Sequence, residues 1–600
     1  MIRVADYIVA FLYKIGVYDI FMVAGGGARE LNDAVVSHHK IKYICHHHEQ
    51  AAAMAAEVYS RITGNFGVAM VTAGPGGTNT ITGVLGAWQD STPCMIISGQ
   101  DKRIQTVYCS KISGLRQLGV QECNIIPIVQ SITKYAVLVE EPENIRYHLE
   151  KAVFLAKSGR PGPVWIDVPL DVQSALIDPK KLTGFDPYTE KLYNPPKISS
   201  QQWKTIIGLL KSSKKPLIIA GNGIRLSNDC DIFLKLIEQL NIPVVTSNMA
   251  IDLMDYSHPL FIGLAGIKGQ RAANIAIQNA DLLISIGCRL NVPIIGFEFD
   301  KFAPNARKIV VDIDETEHKK KTIKIDLLVK SDAKFFIKKL LRKTEKGKFG
   351  FKKEWVGKLK NLSDKYPVCL PKYVSLKGRV NIYYAVDQIS NHLNKSDIII
   401  SDAGFPFYMV GQAVKIKKGQ RLILPGATAP LGFNLPASIG ASIAAKNKRI
   451  ICITGDGSLQ TNIHELGTIA LNRLPIKIFI LNNSGYLSIR ISENTFFHGR
   501  LIGESNNTGL GFPVTYKIAA AYGINYFSAD NNTKLKDIIP KVLDCPGPVL
   551  CEIACQKNQI IAPMVSSKRL ADGTMISAPI DDMYPFLDKK ELERIKIDLR

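Results

Sequence analysis

The sequence predicts an α/β protein built from three doubly wound, parallel-sheet domains. Three observations carry that expectation. Short apolar runs rich in Val and Ile alternate with stretches of helical periodicity, the pattern of buried parallel strands and their crossover helices. Several runs stop at glycine turns, namely Gly25-Gly26-Gly27, Gly221-Asn222-Gly223 and Gly455-Asp456-Gly457, and ligands bind at that carboxyl edge of a parallel sheet. Finally, 600 residues, 46% of them hydrophobic, exceed what one core organises.

The first domain is expected over residues 1–174. Residues 20–23 read as a strand that breaks at Gly25-Gly26-Gly27, a turn or a set of backbone amides facing an oxyanion. Strand 42–45 leads through His46-His47-His48-Glu49-Gln50 into a helix over 51–63. Consecutive histidines point in different directions, which argues against one shared zinc ion. Glu49 in the first turn complements the helix dipole. Strand 68–71 ends in Thr72-Ala73-Gly74-Pro75-Gly76-Gly77-Thr78-Asn79, another turn at a sheet edge. A polar, proline-containing linker covers 174–196.

The middle domain, 195–345, repeats the pattern. Strand 216–220 runs into Gly221-Asn222-Gly223, 280–287 into Cys288-Arg289, and 308–311 into Asp312-Ile313-Asp314. An acidic residue after a strand suits ribose hydroxyls. Residues 346–370 read as a basic, poorly periodic connector. The third domain is expected over 375–560, and 561–600 form a tail.

Residues 449–485 are the most informative stretch. A buried strand over 449–454 ends at Gly455-Asp456-Gly457, and Ser458 or Thr461 is expected to cap a helix whose apolar side is Ile463, Leu466, Ile469 and Ala470. A second strand, 476–481, delivers Asn482-Asn483 to the same sheet edge. Asp456 and Asn483 then offer two oxygens to one hard cation, with the Gly485 carbonyl as a third. Mg²⁺ suits so few protein ligands. The helix N-terminus adds amides for a diphosphate.

Composition narrows the classes. The formal charge is +22, yet the lysines scatter without an aromatic-interleaved basic motif, which reads as a solvated surface rather than a nucleic-acid site. No apolar run approaches the roughly 18 residues of a membrane span. Asp6, Lys14 and Asp19 interrupt the first 25 residues, unlike a signal peptide. Eleven unpatterned cysteines suit a reducing cytoplasm.

Gly-Asp-Gly, strand-helix-strand, then Asn-Asn resembles the thiamine diphosphate (ThDP) motif. The resemblance implies Mg²⁺ held by Asp456, Asn483 and the Gly485 carbonyl, with Gly455, Gly457 and Ser458 at the diphosphate. HHEQAAAMAAEVYSRITG, TAGPGGTN, SITKY and SGRPGPVWIDVP resemble the pyrimidine-binding domain of acetohydroxyacid (acetolactate) synthases. By that resemblance Glu49 activates the cofactor through its aminopyrimidine ring, Gly25 and Gly26 supply the glycine-rich loop, and Gln121 lines the site. GATAPLGFNLPA resembles the segment on which the cofactor bends, with Leu431 beneath it. The middle domain resembles one that in several members holds FAD as a structural cofactor, and Gly221, Gly223, Arg289 and Asp312 are the candidate contacts.

The family resemblance implies decarboxylation of pyruvate and transfer of its two-carbon unit to a second carbonyl. It also implies a homodimer or homotetramer with the site across the subunit interface, and admits a regulatory subunit. Two positions depart from the family. Ser492 stands where branched-chain synthases carry a tryptophan, and Asn291-Val292-Pro293 where they carry an Asp-Arg pair. The tail resembles those of synthase-like proteins associated with surface sugars. The alternatives are therefore a carboligase with a larger acceptor, such as a keto-sugar nucleotide, and an FAD-using pyruvate oxidase-like enzyme. A cofactor-binding pseudoenzyme would need Glu49, Asp456 or Asn483 replaced, and all three are present.

Overall fold

The computed structural model describes residues 1–192, 197–345, 347, 353–569 and 571–599. Three six-stranded sheets, parallel throughout, follow one another along the chain. The doubly wound expectation is met three times. Sheet one orders Lys42–Cys45, Asp19–Met22, Gly67–Val71, Cys94–Gln100, Val164–Pro169 and Tyr135–Leu138. Sheet three orders Arg421–Ile423, Ile398–Ser401, Ile450–Gly455, Ile476–Asn482, Val549–Ala554 and Asn525–Ala529. Counting strands within each sheet, both read 2-1-3-4-6-5, whereas the middle sheet reads 3-2-1-4-5-6, the order typical of dinucleotide-binding domains.

Winding direction reverses between two neighbouring strands of each sheet, which opens a crevice at their carboxyl ends. In the first sheet those strands end at Gly25-Gly26-Gly27 and at the 72–79 turn. In the middle sheet they end at Gly221-Asn222-Gly223 and Gly287-Cys288-Arg289, and in the third at Asp402 and Asp456. The glycine turns therefore fall at the topological switch points.

Helix Glu49–Thr63 joins the first domain to the third. Its residues from Ala51 to Ser60 are all buried, because it crosses helix Asn434–Ala444 at close range. A Cβ on Gly440 would lie 2.2 Å from the Ala55 carbonyl oxygen, so no side chain fits at that position. Arg61 donates to the Leu424 carbonyl at 3.0 Å, and the buried Glu465 accepts from the His47 amide at 3.0 Å.

Two expectations need correction. The segment read as a connector contains helix Lys353–Lys365; residues 346 and 348–352 lie outside the described residues. Trp355, Leu359 and Leu362 are buried along one face of that helix, and the Trp355 indole donates to the Pro216 carbonyl at 3.1 Å. Solvent-facing lysines masked that stripe. The expected 174–196 linker begins with Leu176–Ile177, which pairs antiparallel with Ile2–Arg3, and its residues 193–196 lie outside the described residues. The tail straps onto the middle domain, where Arg271 donates to the Pro585 carbonyl at 2.6 Å and Asn274 to the Ile580 carbonyl at 2.8 Å. Among the described residues no helix is long and apolar enough to cross a membrane.

Candidate active site

In the third sheet, Gly455 pairs opposite Leu481, so the two parallel strands release Asp456 and Asn483 side by side at one edge. The helix starts at Asp456 itself. Neither Ser458 nor Thr461 caps it: the residue before it is Gly455, and the following helix, Glu465–Leu471, also lacks a side-chain cap. Instead the Ser458 hydroxyl accepts from the Gly432 amide at 2.9 Å. That bond ties the 426–434 loop to the Asp456 turn.

Asp456 is 6% exposed. Its Oδ2 accepts from the Gly485 amide at 2.9 Å, while Oδ1 has no partner. Burial pushes its carboxyl up to about 6. The two asparagines separate because successive strand side chains point to opposite faces. Asn482 donates to Glu552 at 2.5 Å and accepts from the Ser484 amide. Asn483 is fully buried, and neither its Oδ1 nor its Nδ2 has a partner. Unpaired buried polar atoms are rare. A carboxylate oxygen and an amide oxygen with free lone pairs, adjacent and enclosed, form a donor set suited to a hard cation. Gly457 admits the Tyr486 ring, which a Cβ there would approach to 2.4 Å.

Leu431 is 39% exposed, an apolar side chain set beside the Asp456 turn rather than in the core. Behind it stands a buried network that the sequence reading missed. Asp402 accepts from Thr454 Oγ1 at 2.7 Å and from the Ala403 amide at 2.8 Å, and burial pushes its carboxyl up to about 6. Asn434 donates to the same threonine. The available signal was strand Ile398–Ser401 running into Asp402-Ala403-Gly404, the same strand-acid-glycine order as at Asp456.

Glu49 opens its helix beside the first sheet. His48 caps that helix, its Nδ1 accepting from the Gln50 amide at 3.1 Å, while His46 bonds Glu465 at 2.8 Å. The histidines thus have separate tasks. Burial raises the Glu465 carboxyl, but the bond and charge of His46, with bonds from Thr468 and the His47 amide, together outweigh it and hold the group below its usual range. Glu49 is half-buried and accepts from Asn79 Nδ2 at 2.9 Å. The 72–79 turn that ends in Asn79 also contacts the glycines. Gly27 donates to Thr72 Oγ1 at 3.0 Å, and a Cβ on Gly25 would meet Thr72 at 2.6 Å. Gly26 faces open space. Gln121 is exposed, with its carbonyl packed on Gly74. Glu49, Gly25, Gly26 and Gln121 therefore surround one turn, while Asp456, Asn483, Gly485 and Leu431 surround another. Among the described residues no hydrogen bond or ion pair joins the two groups.

Comparisons with known proteins identify the domains that carry these residues. Residues 2–128 match the thiamine pyrophosphate enzyme N-terminal TPP binding domain, 203–340 the central domain, and 402–553 the C-terminal TPP binding domain. The chain belongs to the ThDP enzyme family. Within that family it is similar to the acetolactate synthase large subunit of Cyanidium caldarium, 33% identical over 583 residues, covering 94% of this chain and 95% of that protein. The large subunit of Lactococcus lactis subsp. lactis is 31% identical over 554 residues, covering 92% of each. A probable large subunit of Methanococcus aeolicus is 32% identical over 569 residues, again covering 92% of each. The protein is an acetolactate synthase-like ThDP enzyme.

A cavity of about 340 Å³ lies where the three domains of this ThDP enzyme meet. Gly223, Arg289 and Asp312 line it. Gly221 packs behind, since a Cβ there would lie 2.0 Å from the Gly287 carbonyl oxygen. Arg289 donates to the Gln89 carbonyl at 2.7 Å, and Asp312 accepts from the Asp314 amide and bonds His318. Lys268 also lines the cavity, 3.7 Å from the centre of the Tyr408 ring, and burial lowers its ammonium to about 8. Its walls carry charges of both signs, Lys157, Arg160, Lys268 and Arg289 alongside Asp90, Asp312, Glu317 and Asp332, and Arg160 is paired with Glu317. At the departing positions, Ser492 is exposed on helix Leu487–Phe496, and Asn291 precedes helix Val292–Ile295.

Proposed function

We propose that this chain decarboxylates pyruvate and joins the two-carbon unit to a second carbonyl compound, as the names of its relatives indicate for them. The observation that carries this reading is the enclosed Asp456–Asn483 pair, whose free oxygens suit Mg²⁺, in a chain similar to acetolactate synthases along nearly its whole length. Bound ThDP supplies an electron sink for cleavage of the bond beside a carbonyl.

The chain's own groups have distinct tasks in this reading. Asp456, Asn483 and the Gly485 carbonyl hold the cation, which keeps Asp456 ionised despite its burial. With the cofactor bound, the amides opening the Asp456 helix would face its diphosphate, and exposed Leu431 would offer an apolar surface to its rings. Glu49, oriented by Asn79, holds and passes a proton at the aminopyrimidine. Gly26, open on its outer side, and Gln121 border the substrate.

A homodimer or homotetramer brings the two halves together. Exposed apolar side chains lie beside both of them: Ile104 and Val120 are 82% and 85% exposed near Gln121, and Ile502 is 75% exposed beyond the metal loop. FAD in the three-domain cavity, beside Gly223, Arg289 and Asp312, would act as a structural cofactor. Eleven free cysteines favour a cytoplasmic setting.

Mass spectrometry of the products from pyruvate, ThDP and Mg²⁺ tests the reading, with acetolactate expected. Absence of pyruvate decarboxylation would overturn it. A second reading, a bulkier acceptor, is favoured by small, exposed Ser492 and by the lack of a cation at Asn291-Val292-Pro293. In that case Ser492→Trp shifts product from larger ketones toward acetolactate.

A further inference from the structure

The metal loop contains two consecutive residues with positive φ, Ser484 at 64° and Gly485 at 139°. For serine that conformation is unfavourable, and something must hold it. One side chain grips this turn. Arg490, from the first turns of helix Leu487–Phe496, is 8% exposed and folds back under the loop. Its Nη1 donates to the Asn483 carbonyl at 3.2 Å and to the Lys557 carbonyl at 2.7 Å, and its Nη2 donates to the Ser484 carbonyl at 2.8 Å. Its Nε donates to Glu504 Oε2 at 2.7 Å.

Glu504 is itself only 3% exposed. Its other oxygen accepts from Ser505 Oγ at 2.6 Å, and its backbone carbonyl accepts from the Tyr486 amide at 2.8 Å. The glycine at 485 is part of the same fit, since a Cβ there would lie 2.1 Å from the Glu504 carbonyl oxygen and 2.8 Å from Arg490 Nη2.

We infer that the buried Arg490–Glu504 pair is a positioning device for the Mg²⁺ loop, fixing the backbone on which Asn483 and Gly485 present their oxygens. The inference rests on the metal reading of Asp456 and Asn483. A guanidinium suits the task because its planar fork of donors reaches carbonyls on one side and a carboxylate on the other, which a lysine cannot reproduce. Arg490 makes no bond to the Asp456 or Asn483 side chains, so its effect on the cation passes through the backbone alone. Mg²⁺ demands near-octahedral ligands at short distance, whereas Ca²⁺ tolerates irregular, longer shells. Loosening the loop therefore weakens Mg²⁺ more than Ca²⁺.

The test measures Mg²⁺ and Ca²⁺ dissociation constants by calorimetry at saturating ThDP, in wild type, Arg490→Met, Arg490→Lys and Glu504→Gln. Partners of metal ligands typically change affinity by roughly 10- to 100-fold. Arg490→Met is expected to lose Mg²⁺ affinity in that range with a clearly smaller loss for Ca²⁺, and Arg490→Lys to recover part. Glu504→Gln keeps the packing and an acceptor, so it serves if Arg490→Met does not fold, with a smaller loss in the same direction. Equal losses for both ions, or unchanged affinity in Glu504→Gln and Arg490→Lys, overturn the positioning role. A wild type that binds neither ion with ThDP sinks the metal reading instead.

Discussion

Replacing Asn483 with leucine should stabilise the protein without cofactor and destroy its response to cofactor. Asn483 is fully buried, and both polar atoms of its amide lack partners in the chain. A buried amide without hydrogen bonds costs about 1–3 kcal/mol by mutational measures. Leucine has nearly the same shape and no polar atoms, so Asn483→Leu removes that cost. For a unit the size of the third domain this raises the cofactor-free transition by roughly 2–10 °C. Adding Mg²⁺ and ThDP at a hundredfold their dissociation constants should stabilise wild type by about 2.7 kcal/mol, and the variant by nothing. The ranking of the two proteins thus narrows or reverses on adding cofactor. Scanning calorimetry with and without Mg²⁺ and ThDP reads both effects. A lower transition for the cofactor-free variant would show that the amide is satisfied without a cation, and a retained cofactor shift would remove Asn483 from the site.

Glu49→Gln should bind ThDP normally in calorimetry while turnover falls by roughly 10²- to 10⁴-fold, the usual worth of a positioned proton-transfer group; Asp456→Ala should lose the cofactor itself, so equal loss of binding in both refutes the division of roles. Gly440→Ala should destabilise the chain by about 1–3 kcal/mol, because its methyl would sit 2.2 Å from the Ala55 carbonyl oxygen and force the two helices apart; an unchanged melting transition would contradict the close crossing. Asp167 is 1% exposed, bonded to Ser98 and Gln100, and burial pushes its carboxyl up to about 7. The fold thus keeps a proton that the unfolded chain releases from about pH 4, so stability falls as pH rises from there to about 7, on the order of 4 kcal/mol in all. Subtracting Asp167→Asn from wild type in melting curves across that range should show the slope, and a flat difference would refute it. Arg289→Ala should lower the flavin content of purified protein, and flavin absorbance in wild type should stay constant through turnover; bleaching in each cycle would favour the oxidase alternative.

What the sequence determined alone is the part that depends on local order. Alternating apolar runs and amphipathic stretches dictate strand-helix-strand units, and handedness then fixes the parallel, doubly wound sheets. Asp456 and Asn483 lie one such unit apart, so the register of two neighbouring strands brings them together. The sequence motifs likewise sufficed to name the ThDP enzyme family and its acetolactate synthase branch.

Other features follow from contacts between residues hundreds of positions apart, which no local period encodes. The alanine run after Glu49 reads as a helix from sequence, but why its side chains are small follows from close approaches by Gly67 and Gly83 of its own domain and Gly440 of another. Ser458 looked like a helix cap because caps are short-range features, yet its hydroxyl is taken up by the Gly432 amide. The Lys353–Lys365 helix was hidden because Trp355, Leu359 and Leu362 bury against a domain that ends before them in the chain. Asn482 and Asn483 are chemically identical in the sequence. Only the packed structure gives one of them Glu552 and leaves the other without a partner, because a buried polar atom acquires its meaning from what the rest of the fold does or does not place beside it.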